Sequence, residues 1–479
     1  MKLSDYVQHD GLGLAQLIAA KEVTSAEVAQ AAGQAITALN PQINAVIEQW
    51  PADTPLLENQ SGIFAGTPFL IKDVAISMEG KRVELGSRLA AGNVAGADSN
   101  LMRHFRRSGL ITLGRTTSPE MAFSTTTESV FNGPTCNPWN VSRSAGGSSG
   151  GAAAAVAAGM VPLAHATDAA GSIRVPASCN GLFGLKSTRG RVSNGPYMDE
   201  VFNGFGVQSC VSRSVRDSAA LLDAINLADY GDPYFTPPPS DSFLSDVTRP
   251  PGRLRIGLIM QAHDGQRPTT EVERAILATA KLCEDLGHHV DIGSFDLGVS
   301  WDQFVFANAQ IWCANLVGWA DSLAASGKRN VDATTLEAAT LACYEYGRRA
   351  SAVDYVSALD IRNSVTRSVA ACLQKYDVLL TPTLPDVALP LGAYAQGSET
   401  MDGLEWTGRV FRHSPYTPII NVAGIPAMSV PCGWDNVGLP IGAQFVAGYG
   451  CDSTLFRLAG QLERTAPWTN RTPPVWAGN

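Results

Sequence analysis

The stretch SRSAGGSSGGAAAAVAAG, residues 142–159, decides how this chain is read. Six consecutive positions, 146–151, hold only glycine and serine, and the run Ala152–Ala158 follows at once. Gly/Ser tracts form flexible coil, so a linker is one reading. Alanine is the strongest helix former, however, and a linker does not normally lead straight into such a run. Permissive backbone followed by a tightly packable helix predicts a shaped loop seated on a helix. Such a loop can serve three chemistries. A phosphate-binding loop needs Gly-Lys-[Ser/Thr] after the glycines, and here Gly150-Gly151 run into alanine, which excludes it. A nucleophile elbow is met in pattern by Gly146-Gly147-Ser148-Ser149-Gly150. It also needs a buried strand running into the serine, and NPWNVSRSA (137–145) is polar and opens with Asn-Pro. The third reading joins the loop to ATDAAGSIRVPAS (166–178), where small residues again surround a serine, Ser172. Small residues there let backbone N–H groups face a substrate oxygen, as an oxyanion hole requires; the bland alternative is a serine-capped tight turn.

The rest of the chain narrows the function class. It has 479 residues, 45% of them hydrophobic and 16% charged, enough for a large core and, by length, two or three domains. The formal charge of −9 comes with no Lys/Arg cluster, which argues against a nucleic-acid groove. MKLSDYVQHD lacks the apolar core of a signal peptide, and no run of about 18 apolar residues predicts a membrane span. The 9 cysteines are scattered without a CxxC, which suits a reducing cytoplasm better than a disulfide framework or a zinc site. The 7 histidines include the pair His288-His289 but no HExxH spacing, so no metal and no cofactor are expected.

Periodicity predicts an α/β fold. Thr24-Ser-Ala-Glu27 reads as a capping box opening a helix that ends at Asn40-Pro41. PFLIKDVAI (68–76) reads as a buried strand interrupted by charge. Residues 101–113 read as a helix closed near Gly109, then a strand, and a further helix follows residue 215. The Pro-rich DPYFTPPPSDSFLSDVTRPPG (232–252) reads as a surface connection. It leads to a strand, RIGLIM, then a helix with Val272, Ile276, Cys283 and Leu286 on one face, closed by Gly287. Residues 301–375 read as mostly helical, and DVLLTPT, IPAMSVPCG and IGAQFVAGYG as strands. Strands alternating with helices on both sides of the Pro-rich segment favour one continuous α/β unit with a helical insertion.

Taken together, GGSSGG (146–151) and D-x-x-G-S-I-R-x-P (168–176) resemble the composite signature of the amidase signature family. The likeness continues through GTPFLIKD (66–73), GRTTSPEMAF (114–123), NGLFGLKSTRGRVS (180–193), DVLLTPT (377–383), NVAGIPAMSVPCG (421–433) and GLPIGAQFVA (438–447), and is weakest over 232–370. It implies the amidase signature fold, a central mixed β-sheet covered by helices on both faces. It also implies a single domain, 1–479, with a signature core at about 60–215 and a variable, mostly helical region at about 232–370.

The resemblance also implies a Ser–Ser–Lys triad, with Ser172 as nucleophile, Ser148, after a cis Gly147-Ser148 peptide, as bridging serine, and Lys72 as base. The backbone N–H groups of Ala169, Ala170, Gly171 and Ser172 would form the oxyanion hole. Many members have glycine where this chain has Ala170, whose methyl narrows the approach. Lys72 can act as a base only if neutral, and its apolar neighbours Phe69, Leu70, Ile71, Val74, Ala75 and Ile76 would lower its pKa by desolvation. An amine snorkelling into water is the alternative. Asp73 should face away from Lys72, because adjacent strand residues alternate. Asp168 and Arg174 read as structural supports. Met121, Phe123 and Cys313 are candidate substrate-binding residues, within a region that also carries Trp301, Phe304, Phe306, Trp312 and Trp319.

The form DAAGS, with NPWN before the glycine loop, is similar to the branch containing the 6-aminohexanoate cyclic dimer hydrolases and aryl acylamidases. The activity implied is hydrolysis of small, mostly apolar or aromatic amides, carbamates or activated esters through an acyl-enzyme. The partners would be that amide and water, with no nucleic acid or membrane, and a homodimer is compatible with the likeness. The other reading is the glutamine-hydrolysing subunit of a tRNA-dependent amidotransferase, which needs charged residues for a free amino acid.

Overall fold

A computed structural model describes residues 1–51, 61–198 and 200–479. Eleven strands share one sheet: β1 (Val46–Gln49), β2 (Pro68–Lys72), β3 (Ile111–Thr116), β4 (Leu163–Asp168), β5 (Phe183–Lys186), β6 (Val207–Ser212), β7 (Arg255–Leu258), β8 (His289–Ile292), β9 (Val378–Pro382), β10 (Ala427–Trp434) and β11 (Pro440–Ala447). Their spatial order is β1-β3-β2-β4-β6-β5-β10-β11-β9-β7-β8. β2 runs parallel to β3 and β4, and β7 runs parallel to β8 and β9, whereas β6, β10 and β11 pair antiparallel. The sheet is therefore mixed.

Alternation along the strands explains why both faces are covered. Phe69 and Ile71 of β2 enter one apolar core with Leu221, Ile276 and Phe456, while Leu70 enters another with Val28 and Val156. Val378 and Leu380 of β9 face the first core. Leu379 faces a third core, built on Phe304, Leu316 and Val365 of the helices Trp301–Gly327 and Ala352–Cys372. A period of two side chains per strand repeat leaves each face apolar, so helices pack on both. The alanine run becomes the helix Gly150–Ala157, which is wholly buried. It lies tight under the sheet because its small side chains permit close approach: a β-carbon on Gly151 would come within 2.6 Å of the Ala45 carbonyl.

Two expectations need correction. The first long helix opens on the predicted Thr24–Glu27 capping box but continues through Pro41 to Ile43. Its end is set by Asn44, in the left-handed conformation at φ 48°. The Asn40 carboxamide then accepts the N–H groups of Ala45 and Val46, both at 2.8 Å, so the turn beyond the proline is held by a side chain. The Pro-rich segment 232–252 is not merely a surface connection. The Asp223 carboxylate accepts the N–H groups of Phe243 (2.7 Å) and Leu244 (2.9 Å), seating a short helix, Phe243–Asp246, with the Phe243 ring fully buried.

Candidate active site

Lys72 ends β2 and is 1% exposed, so its amine cannot snorkel to water. Nζ lies 2.6 Å from Ser148 Oγ and 2.8 Å from Thr167 Oγ1. Burial lowers its pKa from 10.5 to about 7, although the nearby Asp168 carboxylate pulls upward. Asp73 does turn away: its carboxylate accepts from Arg115 Nη1 (2.6 Å) and from the N–H of Glu84 (2.8 Å). Below Lys72, His165 Nδ1 accepts the lysine's own backbone N–H at 3.2 Å, and Nε2 donates to Gln208 Oε1 at 3.0 Å. Burial, helped by the Lys72 charge, lowers the His165 pKa to about 3, so this ring is neutral and serves as a strut.

His165 and Thr167 of β4 meet Lys72 across the β2–β4 pair, at its backbone N–H and at its amine, which brings the two segments singled out in the sequence together. Ser149 Oγ accepts the Thr167 N–H at 3.2 Å and sews the glycine loop onto β4. The Gly147–Ser148 peptide is cis. Glycine is required at 147, where a β-carbon would sit 2.6 Å from the Thr126 carbonyl oxygen. Ser148 is 1% exposed and Ser172 is 8% exposed, and both line the same cavity. Among the described residues no hydrogen bond joins the two hydroxyls directly.

After β4 the chain bends at Asp168, whose carboxylate grips the Arg174 guanidinium with two bonds of 2.9 Å. Asn421 (2.6 Å) and Gln444 (2.5 Å) take further Arg174 protons. Burial pushes the Asp168 carboxyl up, but Arg174 and the surrounding donors outweigh it and hold the pKa below the usual value. The same carboxylate corrects one expectation. Gly171 donates its N–H to Asp168 Oδ1 at 2.7 Å, and Ile173 donates to Oδ2 at 3.2 Å. An aspartate opening a turn gathers the turn's amides, so the Gly171 N–H is engaged in the bend rather than presented to a ligand. Among the described residues the N–H groups of Ala169, Ala170 and Ser172 have no protein acceptor.

The cavity holds about 40 Å³ of free volume. Ser148, Thr167, Ala169 and Ser172 form its floor, and Ala122, Val201, Phe202, Trp312 and Trp319 its roof. Met121, Phe123 and Cys313, expected at the wall, are fully buried behind it. Trp312 and Trp319 are seven residues apart on one helix and share a face, so Cys313, one residue on, turns into the helix packing. Phe123 backs the wall, with edge contacts to Phe202 and Trp312. Met121 lies one position from Ala122, which does face the cavity. Trp301 and Phe304 pack against Phe411 instead. Ala75 (φ 69°), Ala122 (φ 60°) and Phe202 (φ 48°) of the wall all adopt left-handed backbone, costing about 1–2 kcal/mol per residue. Such strain gathers where surrounding structure over-determines a functional site.

The reading of motifs missed Thr167, Gln208 and Asn194. Thr167 meets the lysine across the β2–β4 pair, a contact set by the strand register, and none of the three carries a local signal. A second fully buried lysine, Lys186, also has its pKa lowered to about 7 by burial. Among the described residues its amine meets only the Ser187 carbonyl, at 2.8 Å, and no hydroxyl of the cavity, so depressed basicity alone does not mark a base. A roomier hollow of about 470 Å³, beside Arg213, Trp468 and Trp476, contains none of these hydroxyls. No group of three or more His, Cys, Asp or Glu suited to a metal gathers among the described residues. No helix among them is long and apolar enough to cross a membrane.

The chain was compared with known proteins. The Amidase family model matches residues 20–456. A 6-aminohexanoate-cyclic-dimer hydrolase of Paenarthrobacter ureafaciens is 33% identical over 97% of this chain and 96% of its own length. A solved structure of 6-aminohexanoate cyclic dimer hydrolase superposes with a TM-score of 0.93 at 32% identity, covering 98% of this chain and 99% of that one. A bacterial aryl acylamidase of the amidase signature family superposes with a TM-score of 0.88 at 25% identity, over 96% and 97%.

Proposed function

The chain belongs to the amidase family, and on that premise we propose that it cleaves small uncharged amides through an acyl-enzyme on Ser172. One observation carries the reading: a fully buried lysine, its pKa lowered to about 7, lies 2.6 Å from one serine hydroxyl in a cavity that a second serine also lines. Neutral Lys72 takes the proton of Ser148, and Ser148 takes that of Ser172 as Ser172 Oγ attacks the carbonyl carbon. The gap between the serine hydroxyls is closed by substrate, since such bonds are often long in a free enzyme. The carbonyl oxygen gains negative charge and is met by the N–H groups of Ala169, Ala170 and Ser172. One such donor is typically worth about 10²–10³ in rate. The amine then leaves with the proton returned through Ser148. Water repeats the sequence to release the acid and restore Ser172.

The wall supports the substrate class. Aromatic and aliphatic side chains dominate it, and the one carboxylate among the described residues, Asp168, is already neutralised by Arg174. A free glutamine would bring two charges that nothing here pairs, which disfavours the amidotransferase-subunit reading. Anilides, linear or cyclic alkyl amides, aryl carbamates and activated aryl esters fit. Free cysteines at all nine positions suit a reducing compartment.

A fluorophosphonate probe followed by peptide mass spectrometry tests the assignment: Ser172 should carry the label, and a label on Ser148 would overturn it. Turnover should be compared on p-nitroacetanilide, a cyclic amide oligomer, an aryl carbamate, glutamine and malonamate, with and without EDTA. Preference for the first three, unaffected by the chelator, is expected. Turnover confined to glutamine or malonamate would contradict the apolar pocket.

A further inference from the structure

The chamber at Ser172, about 40 Å³, is too small for a whole amide substrate: a water needs about 10–15 Å³ on this measure. A second cleft of about 250 Å³ adjoins it. Ala75, Asn194, Met198 and Trp319 line both, so these four residues form the threshold between them. Beyond the threshold the walls include Ile76, Val83, Leu85 and Leu323, alongside neutral polar groups such as Asn93 and Ser322. Leu85 at φ 53° adds to the left-handed residues around this path. Among the described residues, the outer cleft contains no Asp, Glu, Lys or Arg.

The threshold also carries an aimed polar group. Asn194 accepts from Gln208 Nε2 at 3.0 Å through Oδ1 and donates to the Gly206 carbonyl at 2.9 Å through Nδ2. Gln208 is in turn fixed by His165, the strut under Lys72. A carboxamide has two N–H donors and two acceptor lone pairs, so one of each remains at Asn194. It is held in register with the base and half-buried at the junction of the chambers. A single neutral group that both donates and accepts matches another amide.

We propose that the outer cleft is a distal substrate subsite, entered past Trp319 and Met198, which selects elongated uncharged substrates bearing a second amide-like group that pairs with Asn194. This rests on the Ser172 reading and extends it. The reacting carbonyl sits at Ser172, an apolar chain crosses the threshold, and the second carbonyl or N–H meets the Asn194 carboxamide. The cleft therefore favours chain length in the part of the substrate remote from the scissile bond.

The test compares kcat/KM along two series, N-acyl-4-nitroanilides from acetyl to octanoyl and N-alkyl acetamides from ethyl to octyl, each with a further member carrying a mid-chain amide. In one series the wild-type value should rise with length, by up to about fourfold per buried methylene. Ser322 is exposed on its helix, so Ser322→Trp can fill the cleft without disturbing the core, with Ser322→Ala as its control. The tryptophan should lower the long-to-short ratio at least about tenfold, and the alanine should leave that ratio in place. Asn194→Leu should erase the advantage of the mid-chain amide over the all-methylene chain. Flat length dependence in both series, or an equal fall for short and long substrates in Ser322→Trp, would overturn the subsite. No turnover on any member, together with no labelling of Ser172, would overturn the underlying reading and the subsite with it.

Discussion

Beneath Ser148 and Ser172, the buried Asp168–Arg174 pair is tied to several partners; above them, the roof holds the cavity with rings. On the floor, Arg174 alone bonds Asp168 twice and also reaches Gln444, Asn421 and the Thr417 carbonyl. In the roof, Phe202 stacks on Trp312 with centroids 4.3 Å apart and leans on Trp319 at 5.3 Å. Hydrogen-bond networks in low dielectric admit one geometry, because any partner removed leaves an unpaired buried group. Packed rings have no such requirement and tolerate reshaping within limits of volume. On the proposed function, this difference places chemistry in the floor and choice of substrate in the roof.

The sharpest way to break that division is to remove floor hydroxyls one at a time. Ser172→Ala should abolish acyl transfer, measured as single-turnover amine release from an anilide. Ser148→Ala should retain slow turnover, reduced by about 10²–10⁴, because it loses a proton relay and not the attacking atom. Equal residual rates in the two variants would mean that the relay is as indispensable as the attacking atom, and the distinction between the two serines would fail.

Next in size is the charge pair that shapes the bend. Asp168→Asn leaves Arg174 charged, buried and short of its carboxylate, a change that typically costs about 3–5 kcal/mol. A large fall in the denaturant midpoint is expected. Because Asp168 also pulls the Lys72 pKa upward, any active remnant should have its acidic limb displaced to lower pH. A variant of unchanged stability would show that the floor is less interlocked than its hydrogen bonds imply.

What could be read from the chain divides along the same line. The floor was legible because each of its constraints is local in sequence: Gly147 cannot be larger, Asp168 must reach its own turn, and Lys72 sits in an apolar run. The expectation that fails there, the Gly171 N–H as an oxyanion donor, came with the family resemblance, and Asp168 three residues earlier takes that amide. Strands alternating with helices pointed to an α/β fold, whereas the mixed sheet came with the family resemblance. The roof was not legible in the same way. Its cavity face depends on the rotation of the helix Trp301–Gly327, so Trp312 and Trp319 face the site whereas Cys313 does not. The half-buried Asn194 at the threshold is placed by a cross-chain link to Gln208 that no local pattern records.

The pH profile tests the lysine directly. On the proposed mechanism Lys72 works as the neutral amine, and burial has brought its pKa down to about 7. The free-enzyme rate, kcat/KM, should therefore fall tenfold per unit below pH 7 and level off above it. An exposed lysine would instead keep the rate rising toward its ordinary value near 10.4. A plateau beginning well above pH 9 would remove the argument that desolvation activates this base.

The smallest expected effect belongs to Thr167, and it is the most discriminating. Its hydroxyl is 2.8 Å from Lys72 Nζ, opposite the bond to Ser148. Toward the ammonium form this oxygen can only accept, which stabilises the charge, whereas the neutral amine keeps Ser148 without it. Thr167→Val preserves shape and removes the acceptor, so the charged form loses more than the neutral one. The pKa of Lys72 should move down, and the acidic limb of kcat/KM should move to lower pH. The plateau should fall only about two- to tenfold, the worth of a single hydrogen bond, because the amine loses one of the two contacts that aim it at Ser148. Titrating the Thr167→Val and wild-type enzymes side by side on the same anilide separates the two effects. A limb that moves to higher pH would mean that Thr167 donates to a neutral lysine and holds it in the basic form. An unshifted limb would mean that the hydroxyl does not touch the working amine, and Lys72 would then be aimed by Ser148 alone.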